Sequence, residues 1–293
     1  QPFYQKDLAG VFRQMVDVER ASTSKGREVA IRAARDFFYK GDVAEKMVKF
    51  SEEQGGLLTL QDFADFDVGV ENALEGSYGD YSIYTCGAWC QGPTLIQVLN
   101  ILEGIDLTGM RYDSVDYIHA CVEAVKLAFS DRHTYYGDPD IIEVPITGLL
   151  SKDFAADRRS ALDMKKAAPE MPLPGNPWHY QDGRRSSQKT VKAIPRSGPF
   201  GEDTSYTCVV DRWGNAFSAT PSDSIGMASP IVPGLGMVIS NRGAQSWLDP
   251  EHPSCIGPWK RPRLTPNPAI ILKRGALFMP FGTPGGDVQV QAM

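Results

Sequence analysis

The stretch GEDTSYTCVVDRWGNAFSATPSDS, Gly201–Ser224, marks where a loop enters a sheet. Tyr206, Cys208 and Val210 alternate with more polar neighbours, Asp211–Gly214 has turn composition, and Ala216–Thr220 returns. That pattern predicts a β-hairpin. Ahead of it, from Ala167 to Arg196, prolines, glycines, serines and basic residues gather and helical periodicity stops. Thr204 therefore sits at a loop-to-strand entry. A threonine there is ordinarily a good strand former. It has a second use if the Asp203–Thr204 bond is cut, because its hydroxyl then lies beside a free α-amine. That amine can take the hydroxyl proton directly or through water, which removes the need for a separate histidine base. The spacing leaves both readings open.

Outward from this stretch, the chain divides into a helical half and a β-rich half. Before the linker, Val29, Ala30, Ala33, Ala34, Phe37 and Phe38 recur at three- and four-residue spacing. Val43, Ala44, Met47 and Val48 resume the pattern beyond Gly41. Both runs predict amphipathic helices, the second ended by Gly55-Gly56. Thr59–Asp62 reads as a helix N-cap with an acidic third position. Tyr78–Thr85 predicts a short strand. Gly92-Pro93 opens a helix with Leu95, Ile96, Leu99 and Leu102 toward a core, and a longer one carries Val115, Ile118, Val122, Val125 and Phe129 on one side. After the linker come short apolar runs at Met237–Ser240, Ala269–Leu272 and Ala276–Met279, with Lys273-Arg274-Gly275 as a hairpin turn between the last two. Helices first and strands afterwards imply an α+β arrangement.

Composition narrows the class. The chain has 293 residues, enough to bury a sizeable core. Hydrophobic residues make up 42% and charged residues 23%, an ordinary globular balance. A net charge of -6 argues against nucleic acid or an anionic membrane as the partner. No apolar run has the length of a membrane span. Five cysteines without a C-x-x-C pair suit structural thiols in a reducing, cytoplasmic setting, with a periplasmic or secreted one open if a leader is removed. His119, Glu123 and His133 could be imagined on a metal, but a half-exposed helix face is the plainer reading and no metal is expected. Arg184, Arg185, Lys189 and Lys192 read as a solvated linker. Gly282-Thr-Pro-Gly-Gly286 ends a strand; it is a turn by composition, or a source of oxyanion-binding N–H groups.

In order along the chain, Tyr39-Lys-Gly41, Gln54-Gly-Gly-Leu57, Gly92–Glu103, Ala128-Phe-Ser-Asp-Arg132, Gly137-Asp-Pro-Asp140, Thr204–Asp211, Lys260-Arg-Pro262 and Gly282–Gly286 resemble the γ-glutamyltranspeptidase family. The resemblance implies the four-layer αββα sandwich of N-terminal-nucleophile hydrolases, of which this chain covers the middle. It implies an autoprocessed precursor, with residues 1–203 as the large-subunit portion and 204–293 as the small-subunit portion. Asp203 and Thr204 would flank the cleaved bond and Thr204 would be the nucleophile. Ser222 stands where the family has a second threonine, and Gly285 and Gly286 would form the oxyanion hole. No cofactor is implied.

Departures from the family pattern point to altered specificity. Gly243 and Ser246 occupy the places of amine-binding residues, Leu264 and Thr265 those of a paired serine motif, and Ser224 that of an asparagine. The missing carboxylate disfavours a γ-glutamyl amine. PSDS, RGAQSW and KRPRLTPNP are similar instead to the acylase branch with its oxamate amidohydrolase-like members. Arg242 and Arg263 are added cations, read either as carboxylate binders or as surface ion pairs. The expected substrate is a small acyl amide; γ-glutamyl transfer or hydrolysis, and a non-catalytic relative, are the alternatives. Expected partners are the N- and C-terminal remainder of the same precursor and, by family analogy, a second copy.

Overall fold

A computed structural model of the chain describes residues 4–181, 204–223 and 229–293. Asp203, Ser224 and the basic residues Arg184, Arg185, Lys189 and Lys192 lie outside them. The helices before the sheet are α1 (Lys6–Ser22), α2 (Arg27–Tyr39), α3 (Asp42–Glu53) and α4 (Leu60–Asp65). Strands β1 (Leu74–Tyr78) and β2 (Tyr81–Thr85) follow, then helices α5 (Gly92–Leu102), α6 (Val115–Tyr135), α7 (Ile146–Leu150) and α8 (Lys152–Ser160). Next come β3 (Thr207–Val210), β4 (Ala216–Ala219), β5 (Ile231–Val232), β6 (Met237–Val238), β7 (Ala269–Lys273), β8 (Ala276–Phe281) and α9 (Val288–Ala292). The fold is α+β, as the order of helix-rich and strand-rich segments implies.

Packing divides the chain into residues 1–70 with 224–241 and residues 71–223 with 242–293. In the first unit Val11, Val43, Met47, Val232 and Leu235 form a buried cluster with Phe37 and Phe38 against it. The sequence pattern does not announce α1. Val29 of the expected stripe is 45% exposed, while Ala30 is fully buried. At α4, Thr59 accepts from the Asp62 N–H and Asp62 accepts from the Thr59 N–H, closing a capping box.

The second unit is built on an antiparallel sheet in the order β1-β2-β7-β8. The single strand expected over Tyr78–Thr85 is two strands, because Gly79 at φ 53° turns the chain between Tyr78 and Tyr81. Leu74-Glu-Gly-Ser had concealed β1, having too little apolar alternation to read as a strand. The β7–β8 turn matches expectation: Arg274 (φ 50°) and Gly275 (φ 81°) make the two-residue, doubly left-handed loop that suits sheet twist. Helices α5 and α6 cover the sheet, with Leu95, Val98, Ile101, Leu127 and Ala128 packed on Ile83 and Ala269.

Helix α6 keeps its expected face at Phe129, which is buried, and at Val125, which packs against the core, but departs from it nearer its start. Val115, Ile118 and Val122 are 82%, 52% and 47% exposed, and the buried stripe is Ala120, Ala124, Leu127 and Ala128. Small residues let α5 and α6 approach closely, so close packing rather than bulk chose the inward face. The end of α6 is buried and polar. Asp131 pairs with Arg158 at 3.0 Å and accepts from the Gly175 N–H at 2.7 Å, while Tyr136 Oη donates to Gln97 at 2.6 Å. Burial raises the Asp131 carboxyl to about 6 despite Arg158.

Gly92 has no room for a side chain. A Cβ there would stand 2.1 Å from the Cys86 carbonyl oxygen. Gly10 in α1 has nothing within 4 Å. Gly92→Ala should destabilise the second unit by about 1–3 kcal/mol, whereas Gly10→Ala should stabilise by about 0.5–1 kcal/mol. Denaturant midpoints of the two variants should therefore move in opposite directions.

A buried histidine pair should make the fold acid-sensitive. His252 stacks on Trp247 at 4.2 Å, donates from Nε2 to the His133 carbonyl at 2.7 Å, and accepts the Ser254 N–H on Nδ1 at 3.0 Å. A second proton would break that last bond. Burial pushes His252 down to about 4 and His133, with help from Arg263 and Arg132, to about 3. Unfolded histidines bind protons below about 6.5, so stability is full above that pH and declines as pH falls toward 4. The expected slope is at most about 1.4 kcal/mol per pH unit per histidine. His252→Gln should flatten the decline in midpoint between pH 7 and 4.5; an unchanged slope would remove His252 as a cause.

Candidate active site

The β3–β4 hairpin opens with an isolated antiparallel bridge between Thr204 and Ser222. The Ser205 N–H donates to the Pro221 carbonyl at 2.9 Å, which fixes the register of the bridge. At the other end of the hairpin Asp211 accepts from the Trp213 and Asn215 N–H groups at 2.8 and 2.9 Å, and so closes the turn. The result places Thr204 Oγ1 2.7 Å from Ser222 Oγ.

Arg242 completes this cluster. It opens a 3₁₀ turn over Arg242–Gln245 and donates from Nη2 to Ser222 Oγ. Its Nε lies 4.0 Å from Asp223, and its side chain is 17% exposed. A guanidinium only donates, so Ser222 Oγ accepts in this bond, and in the Thr204–Ser222 contact either hydroxyl can be the donor. With its amide turned to satisfy both neighbours, Gln245 accepts from Arg242 Nη1 at 2.9 Å and donates to the Arg263 carbonyl at 3.3 Å. Asn241–Trp247 and Arg263–Pro268, the two stretches expected to set specificity, therefore touch. Within them Gly243 is exposed, and Ser246 is buried with its N–H donating to the Gly243 carbonyl at 3.0 Å.

The glycine loop follows β8. Gly285 and Gly286 have φ of 120° and 57°, which an L-side chain adopts only under strain. The Gly286 carbonyl accepts from Gln91 Nε2 at 2.9 Å, and the Gly285 carbonyl from the Val288 N–H at 2.9 Å. The N–H groups of both glycines donate to no acceptor among the described residues. Gln91 also donates to the Thr265 carbonyl at 2.6 Å, and the Leu264 N–H donates to the Trp89 carbonyl at 2.7 Å. The hairpin and this loop are linked through Tyr206, whose ring fills the space a Gly282 side chain would need, and through Ser218, which donates to the Phe281 carbonyl at 3.4 Å.

Arg263 is buried, at 7% exposure, which does not suit a surface ion pair. Its Nη1 meets His133 Nδ1 at 3.5 Å, and burial, then the charge of Arg132, pushes it down to about 9. His119 bonds the Asp163 carbonyl at 2.7 Å and Glu123 holds Lys126 at 2.6 Å. No group of three metal-ligating side chains occurs among the described residues. Gln91, Arg132 and Asp287 were not singled out from sequence.

The whole chain, residues 1–293, matches the family model for gamma-glutamyltranspeptidase. It is 29% identical over 291 residues to the glutathione hydrolase proenzyme of Bacillus subtilis subsp. natto, covering 99% of this chain and 46% of that protein. It resembles the solved structure of LmbA2991HD with a TM-score of 0.85 and 34% identity, covering 99% of this chain and 50% of that one. The cephalosporin acylase from Bacillus halodurans aligns with a TM-score of 0.74 and 30% identity, over 90% of this chain and 44% of its own. The chain spans about half the length of the curated relatives it matches. The ordered motifs, the α+β fold and the match over all 293 residues agree, and the chain belongs to the γ-glutamyltranspeptidase family of N-terminal-nucleophile hydrolases.

Proposed function

We propose that the protein carrying this chain is an autoprocessing amidase with Thr204 as nucleophile, cleaved between Asp203 and Thr204 into portions 1–203 and 204–293. The observation that carries this is the 2.7 Å contact of Thr204 Oγ1 with Ser222 Oγ, held by Arg242. After cleavage the Thr204 α-amine takes the hydroxyl proton while Oγ1 attacks the amide carbonyl. The N–H groups of Gly285 and Gly286 hold the oxyanion, and the amine leaves with that proton. Water then adds to the acyl ester and releases the acid, returning the proton to Thr204. Ser222 donates to Thr204 Oγ1 as it departs, and Arg242 keeps Ser222 oriented for this.

The favoured substrate is a small anionic acyl amide of the oxamate kind. Arg242 is the better placed carboxylate partner: it is partly exposed and one hydroxyl away from Thr204. Arg263, buried against His133, is not. Ser224 lies outside the described residues, and its contribution to substrate binding rests on the resemblance. The second reading, hydrolysis or transfer of a γ-glutamyl group, is supported by the glutathione hydrolase among the relatives.

A substrate panel on the intact protein separates these readings. Oxamate and short acyl amides should be hydrolysed faster than a γ-glutamyl anilide. Thr204→Ala should lower kcat/KM about 10⁴-fold or more, and Arg242→Gln should raise KM for anionic amides about 10- to 100-fold. Strong γ-glutamyl anilide turnover without acyl-amide hydrolysis would overturn the substrate class, and full activity in Thr204→Ala would overturn the nucleophile.

A further inference from the structure

Behind the glycine loop lies a second charged cluster that the proposed chemistry does not use. Arg132 is fully buried, its Nη1 bonded to Asp287 Oδ1 at 2.7 Å and its guanidinium carbon 5.1 Å from the Phe129 ring centre. The other edge of the same guanidinium, Nε with Nη2, has no hydrogen-bond partner among the described residues. Arg263 also leaves its Nε without a described partner. Asp287 is the carboxylate described on this pair, and it is held ionised below the ordinary range by Arg132 and Arg263 against the cost of burial. His133, the neighbour of Arg263, is neutral at physiological pH.

Among the described residues Arg132 and Arg263 share one carboxylate, Asp287, whose own side chain is 49% exposed, and a buried charge without a partner is costly. Nε and Nη2 form the side-on fork of a guanidinium, two parallel donors spaced for the two oxygens of a carboxylate. Both arginines are more than nine-tenths buried, which distinguishes the site from solvated surface arginines.

We infer that the Arg132 fork, in the cluster that also holds Arg263, His133 and Asp287, is an interior carboxylate-binding site distinct from the Thr204 centre. Its occupant is either a small free carboxylate or the side chain of an aspartate or glutamate from outside residues 1–293 of the intact protein. By neutralising Arg132 on its second edge, the occupant fixes Asp287 and hence the Gly285–Gly286 turn that precedes it. Arg132 and Arg263 are then positioning residues for the glycine donors.

The test uses the intact protein with sodium formate as the probe and sodium chloride at equal ionic strength as control, alongside its crystal structure grown with formate. One supporting result is a saturable rise in Tm with formate, not matched by chloride, with formate density on Arg132 Nε and Nη2. Arg263→Gln should then weaken formate binding at least tenfold and slow Thr204 modification by an electrophilic amide analogue, a rate that high formate concentrations restore. The other supporting result is formate without effect and an acidic side chain from beyond this chain seated on the fork. Arg132→Gln should lower stability in either case; if it does not fold, Arg263→Gln and the crystal structure decide alone. A fork that meets only water or carbonyl oxygen, with formate no better than chloride, overturns the inference.

Discussion

One hydroxyl–hydroxyl contact sets the demands on the rest of the second unit. For Thr204 Oγ1 to sit 2.7 Å from Ser222 Oγ, the strands on either side must pair in one register. A slip by one residue would send both side chains to the other face. The Asp211 turn fixes that register from one end, and the Ser205–Pro221 bond fixes it from the other. Arg242 then holds Ser222 Oγ in place by donating to it. The hairpin itself is thinly covered, with Val209, Trp213 and Phe217 all more than half exposed. Its geometry therefore rests on polar bonds and on Tyr206 against Gly282 more than on a core of its own.

The glycine loop is constrained by different means. Left-handed φ at Gly285 and Gly286 orients the N–H groups, while Gln91 and Asp287 anchor the carbonyl and the following residue from behind. Gln91 is fully buried, and it also ties the loop to the Thr265 carbonyl. Rigid donors of this kind need no reorganisation when charge develops on a substrate oxygen. The cluster of Arg132, Arg263, His133 and Asp287 lies directly behind that loop, where its charge balance bears on the donors without touching substrate.

Much of the fold was legible, and the misses have physical causes. The hairpin at 204–220, the Arg274-Gly275 turn and the Thr59 cap were readable because each depends on a few local residues with strong conformational demands. Strand β1 was not, because Leu74-Glu-Gly-Ser-Tyr78 is a strand only through pairing with β2. The start of α6 was misjudged because the alanines that face the core carry little hydrophobic signal, whereas Val125 and Phe129 further along were read correctly. In the site, residue types pointed to Thr204 and the glycines. The family resemblance was needed to connect them with Ser222 and the departed substrate segments. No local pattern marks Arg132 as buried or Arg263 as interior, since burial of a charge is decided by distant packing.

The central claim is that Thr204 becomes a chain terminus whose amine serves its own hydroxyl. N-terminal sequencing of both polypeptides from the purified intact protein tests this most directly. A second chain beginning Thr-Ser-Tyr-Thr-Cys, from Thr204 onward, is the predicted result, absent in Thr204→Ala. A single uncut polypeptide that nonetheless hydrolyses amides, or a new terminus elsewhere, would contradict it.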